Sequence, residues 1–144
     1  MKPATIDAAA SVVALRALRV LLAAMIAAHG CARAWVGGVV PFGGFLESQG
    51  WPFGVGIAWA ITVFEIVGSV LLASGRVVGP VSPRVLALTF AAIYTMGIVL
   101  VHAKAGWFVV GLGRNGMEFS VLLIACLLAV AWTHRRATGA RGVA

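Results

Sequence analysis

The chain has 144 residues, 62% of them hydrophobic and only 10% charged, and its mean hydropathy is +1.05. Such a composition excludes an ordinary soluble domain, and the length fits one membrane domain over 1–144. The formal charge of +7 does not mark a nucleic-acid binder, because the basic residues sit at the ends of apolar runs without a basic helix or an interleaved aromatic platform.

Residues 1–11 form a polar, alanine-rich lead, and the first span is expected over about 12–28. Arg16 and Arg19 lie in its first turns, where their stems can run along apolar surface and place the charge at the headgroups. Lys2, Arg16 and Arg19 before an apolar run and Cys31 after it superficially imitate a lipoprotein signal. Ala28-His29-Gly30 does not fit the cleavage pattern, so this run reads as a permanent span. The connection 30–53 carries Gly37, Gly38, Gly43, Gly44, Gly50, Pro41 and Pro52, but also Trp35, Phe42, Phe45 and Trp51. It is too apolar for a free linker and reads as an interfacial cap with a short helix around 43–48.

The second span is expected over about 54–73, followed by a tight connection through Gly75, Arg76, Gly79, Pro80 and Pro83. The third is expected over 84–101 and the fourth over 117–132, with His134 and the arginines 135, 136 and 141 as a basic tail. The fold class is therefore all-α, an antiparallel four-helix membrane bundle. Four spans put both termini on one side. That side holds eight of the basic residues, while Arg33, Lys104 and Arg114 make three on the other. The bias places both termini in the cytoplasm and gathers Trp35, Trp51 and Trp107 at the outer interface.

Glu65 stands alone as a charge inside the run Val55–Ala73. A carboxyl at that depth is costly and must be neutral, paired or turned to a polar interior. Ala58, Thr62, Gly68 and Ser69 share its helical face, a small and weakly polar stripe suited to close helix packing. Glu65 is thus expected to face the bundle interior, with Tyr94 as first partner and His29 as second. His29 ends the first span, His102 ends the third and Glu118 begins the fourth, so all three reach one end of the bundle.

Two imidazoles and a carboxylate there can hold a metal ion, relay protons or hydrogen-bond a quinone head group. Arg33 or Arg114 would balance Glu118. Each residue also has a plain structural reading. The histidines can be interfacial helix ends, Glu118 an acid stabilised by the helix dipole, and Glu65 a structural hydrogen-bond acceptor. A haem held by His29 and His102 is disfavoured. Cys31 and Cys126 form no metal or redox spacing, and their separate positions argue against a disulfide.

His29-Gly30, Gly43-Gly44-Phe45-Leu46, Gly50-Trp51-Pro52, Glu65 with Gly68, Leu71-Leu72, Gly75-Arg76, Val101-His102, Gly106-Trp107-Phe108 and Gly116-Met117-Glu118-Phe119 occur in that order. The ordered set resembles the DoxX family of small four-helix membrane proteins over about residues 14–132. The resemblance implies a bacterial inner-membrane protein associated with quinone-linked or oxidative-stress redox complexes. A lysine usual after the histidine-glycine pair is replaced here, with Arg33 the nearest cation. The expected function is an accessory subunit of a membrane redox system near the quinone pool, in contact with the bilayer and another membrane or redox protein, with Glu65 carrying protons or accepting a hydrogen bond and His29, His102 and Glu118 forming the head-group or metal site. The other reading is a non-enzymatic scaffold or assembly factor whose polar cluster pins the helices. A proton-coupled carrier lacks the broken helices and inverted repeats of transporters.

Overall fold

The computed structural model describes residues 7–109 and 115–134. Its helices are α1 (Ala8–Trp35), α2 (Val39–Ser48), α3 (Gly54–Ser74), α4 (Pro83–Gly97) and α5 (Glu118–Thr133). A π-helical turn, Ile98–His102, and a 3-10 turn, Ala103–Ala105, prolong α4. Among the described residues, three helical stretches are long and apolar enough to cross a membrane: Ala8–Trp35, Gly54–Ser74 and Pro83–Ala105. The fourth apolar helix, α5, has 16 residues, about 24 Å at the usual rise. The all-α membrane bundle expected from the sequence is the observed architecture.

The helix ends follow from local chemistry. Asp7 caps α1 through the Ala9 amide, and Ser82 caps α4 through the Val85 amide, with Pro83 in the first turn where its missing N–H costs nothing. Gly75 closes α3 at φ 69°, a left-handed conformation natural to glycine. In contrast, Gly30 does not end α1. The helix continues past it to Trp35, beyond the expected end at residue 28. A Cβ on Gly30 would lie 3.0 Å from the Glu65 Cβ and 3.2 Å from the Thr62 carbonyl oxygen. The glycine is there to let α1 and α3 approach, so it reads locally as a stop and acts as a packing contact.

The cap contains α2, which extends the expected short helix toward its N-terminus to Val39. A Cβ on Gly43 would come within 2.5 Å of the Val55 Cα, so the cap glycines seat α2 directly on the start of α3. In the membrane section, α1 packs chiefly on α3 and α4 on α5, with sparser contact between the two pairs. One core joins the pairs, built on Leu22, Ile26, Leu72, Phe90, Leu127 and Val130. Phe64 and Phe90 meet in a tilted contact with ring centroids 4.8 Å apart, beside Gly68. This core occupies the half of the bundle holding the C-terminal ends of α3 and α5. At the other half, the cavity end, α5 buries no residue before Leu127.

Candidate functional site

The buried face of α3 consists of Gly54, Ala58, Thr62, Glu65, Gly68, Ser69 and Leu72, the stripe expected around Glu65. Glu65 is 1% exposed. Thr62 and Ser69 satisfy their hydroxyls within α3, donating to the carbonyls of Ala58 and Glu65. Polar groups removed from water need such partners.

Arg33 supplies the counter-charge. Its Nη1 donates to Glu65 Oε2 at 2.7 Å and to Thr62 Oγ1 at 3.0 Å, and its Nη2 lies 3.4 Å from Glu65 Oε1. The guanidinium also sits 4.9 Å from the centroid of Phe42 on α2. On a helix, side chains lean toward the N-terminus, so Arg33 in the last turn of α1 reaches back down to Glu65. Tyr94 on α4 donates its hydroxyl to Glu65 Oε1 at 3.3 Å. His29, one turn before Arg33, meets the Tyr94 ring edge-on at 6.5 Å. The carboxylate therefore ties together α1, α3 and α4.

These groups form the polar floor of a cavity of about 590 Å³. Its walls are mainly apolar, with Met25 and Ile26 from α1, Ile61 from α3 and Leu100 from the π turn among them. Phe42, Phe45 and Leu46 of α2 lie over it, and Phe119, Ser120 and Leu123 of α5 close another side. His102 also lines the cavity, and its Nδ1 is 2.9 Å from the Asn115 carbonyl oxygen. That contact makes Nδ1 the donor and leaves Nε2 as an acceptor. The π turn carries His102, and such irregular turns often occur at functional sites.

The structure brings His29, Arg33, Glu65, Tyr94 and His102 to one cavity, and it corrects the sequence reading at two points. Glu118 is not in the cavity wall. Its Oε1 accepts from the Val109 amide at 3.1 Å, so the side chain serves the connection before α5. Arg33 balances Glu65 rather than Glu118, because α1 continues as helix and aims the guanidinium inward. Arg114 lies outside the described residues. Among the described residues, no three His, Cys, Asp or Glu side chains come together as metal ligands, so the candidates His29, His102 and Glu118 do not gather as one metal set. Sequence reasoning placed Phe42 only in the interfacial cap, not at the site, and did not name Asn115. The i, i+4 spacing of His29 and Arg33 carried the signal for Arg33, which a continuous helix turns to one face.

The DoxX family model matches residues 14–103. The chain belongs to the DoxX family. The matched segment contains His29, Arg33, Glu65, Tyr94 and His102, and ends before Glu118. No curated protein and no solved structure matches the chain.

Proposed function

We propose that this DoxX-family protein is an accessory subunit of a bacterial inner-membrane redox system and that its cavity receives a quinone head group. The observation that carries this reading is the buried Arg33–Glu65–Tyr94 network at the floor of an otherwise apolar cavity. Ligand sites are commonly apolar concavities with a few convergent polar groups, and about 590 Å³ accommodates a substituted ring with the start of its tail. A bound quinone supplies two carbonyl oxygens and the capacity to accept electrons. His29 stands where an imidazole N–H can donate to such an oxygen, while Tyr94, whose hydroxyl proton goes to Glu65, presents its oxygen as an acceptor for a hydroxyl of the reduced quinol, with Arg33 fixing Glu65. His102, its Nδ1–H held by Asn115, presents Nε2 as an acceptor for the other hydroxyl of the quinol. The reading includes a membrane redox partner that exchanges electrons with the quinone.

A decyl-tailed benzoquinone titrated into protein in lipid nanodiscs tests the reading through quenching of tryptophan fluorescence. Saturable quenching is expected for the wild type. Tyr94→Phe, which removes one neutral hydrogen bond to the reduced head group, should weaken affinity for the quinol form by about 1 kcal/mol, roughly fivefold. His29→Ala and His102→Ala should each weaken retention while leaving membrane insertion intact. Non-saturable quenching unaffected by all three substitutions would favour the scaffold reading. The self-satisfied Arg33–Glu65–Thr62 contacts are the observation that supports that alternative.

A further inference from the structure

The cavity has a side as well as a floor. Met25 and His29 lie one turn apart on α1, and both line the cavity while remaining exposed on the flank of the bundle. Opposite them, Phe119 of α5 also lines the cavity and is 56% exposed. Leu123 continues the same α5 face one turn further on. The residues of α1 and α5 buried in the shared core are Leu22, Ala23 and Ile26 on one side and Leu127, Val130 and Ala131 on the other. Toward the cavity end, α5 buries nothing from Glu118 to Cys126, and α1 buries only Gly30, which packs on α3. The two helices thus share a buried core at one end and, beside the cavity, carry cavity-lining side chains that remain exposed. In the aqueous direction α2 covers the space with Phe42, Phe45 and Leu46, of which Leu46 is buried.

We infer that the cavity is filled from within the bilayer, through a window between α1 and α5 framed by Met25, His29, Phe119 and Leu123, by a membrane-dissolved amphiphile with a small hydrogen-bonding head and an apolar tail. The inference rests on the cavity being a ligand site, as proposed above, and adds the route and the way the ligand lies. The head passes His29 of α1 and Ser120 of α5, polar groups of the cavity wall, and stops at Tyr94 and the Arg33–Glu65 pair. The tail stays in the window against Met25 and Phe119. Methionine suits that position, because its unbranched thioether adapts to irregular apolar shapes. On the side that α2 covers, a ligand coming from water would meet Phe42, Phe45 and Leu46 before the Arg33–Glu65 pair.

Photolabelling separates the two routes without requiring knowledge of the natural ligand. The protein is placed in lipid nanodiscs and exposed either to an apolar aryl diazirine dissolved in the lipid or to a charged, water-soluble diazirine. Labelled residues are mapped by mass spectrometry. The apolar reagent is expected to label Glu65 and Tyr94, together with the exposed Val67 on the flank of α3. The charged reagent is expected to leave Glu65 and Tyr94 unlabelled. Met25→Trp and, separately, Phe119→Trp should block interior labelling by the apolar reagent and leave Val67 labelling unchanged, which also reports that each variant has folded. Interior labelling by the charged reagent, by neither reagent, or by the apolar reagent equally in both variants and wild type would overturn the window. Competition by a decyl-tailed benzoquinone is a separate arm. Failure to compete, with window-dependent labelling intact, would refute the quinone reading and leave the lateral route standing.

Discussion

At the residue scale, the site is governed by one buried charge pair. The Arg33 side chain is 15% exposed and that of Glu65 is 1% exposed. Taking both charges out of water is costly, and their mutual attraction with added hydrogen bonds offsets that cost. Removing one partner leaves the other charge buried and uncompensated. Glu65→Leu should therefore destabilise the protein by about 3–5 kcal/mol. Glu65→Gln keeps a hydrogen-bond acceptor for Tyr94 but leaves the Arg33 charge unbalanced, so it should fall between wild type and Glu65→Leu. The double variant Glu65→Leu/Arg33→Met should recover much of the loss, since an apolar pair removes both desolvation penalties. Reversible unfolding in mixed detergent micelles measures this cycle. Additive losses in the two single variants and the double variant would show that the contact contributes no coupling. Legibility divides along the same line. Glu65 announced itself, because a lone carboxyl in an apolar run needs a physical explanation, and Tyr94 was accessible as a polar group in the facing span. Arg33 was obscured because the pair Gly30-Cys31 looked like the edge of a connection.

At the element scale, glycines decide how closely the helices meet. Gly30 brings the backbone of α1 against Thr62 and Glu65, and Gly68 does the same for the Phe90 ring. Small residues at such points allow the van der Waals packing that drives helix association in lipid. A methyl group on Gly30 would also meet Ile66 Cγ1 at 3.1 Å, and its contacts are with backbone and a branched side chain that cannot easily yield. Gly30→Ala should cost about 1–3 kcal/mol. It should also weaken the ion pair, because α1 must move away from α3. Thermal unfolding should show a smaller penalty for Gly30→Ala in a Glu65→Leu/Arg33→Met background than in wild type. Equal penalties would mean that the glycine acts on packing alone. The four apolar helices and the interior stripe of α3 were legible in the sequence because span length and helical spacing are local properties. The continuation of α1, the π turn before Ala103 and the turning of Glu118 to the Val109 amide were not. Each depends on contacts between residues distant in the chain or on backbone hydrogen bonding without a residue-type signature.

At the scale of the whole molecule, the bundle has two dissimilar ends. At the cavity end, Arg33 is drawn inward to Glu65, so this cation belongs to the helix interior as well as to the charge count of that side. At the other end, Arg19 donates to His134 Nε2 at 2.9 Å and approaches the Ala73 carbonyl at 3.4 Å. His134 Nδ1 lies 2.8 Å from the Val130 carbonyl, which fixes that nitrogen as the donor and Nε2 as the acceptor. Arg19, Arg76 and Arg84 thus mark the level at which α1, α3 and α4 enter the same interface, as expected of charges that set orientation near span ends. Discounting Arg33 as a paired interior charge strengthens the asymmetry. Eight basic residues then face two, Lys104 and Arg114. We therefore expect both termini in the cytoplasm and the cavity toward the periplasm. A phosphatase–fluorophore reporter fused after Ala144 should be inactive as a phosphatase and fluorescent, whereas the same reporter inserted after Lys104 should give the opposite result. Converting Arg76 and Arg84 together to glutamine should reduce this polarity, because positive charge near the span ends holds it. A periplasmic C-terminus in the wild type would reverse the orientation and place the cavity on the cytoplasmic side. The window between α1 and α5 would survive that reversal, since a route from within the bilayer does not depend on which aqueous face lies above it.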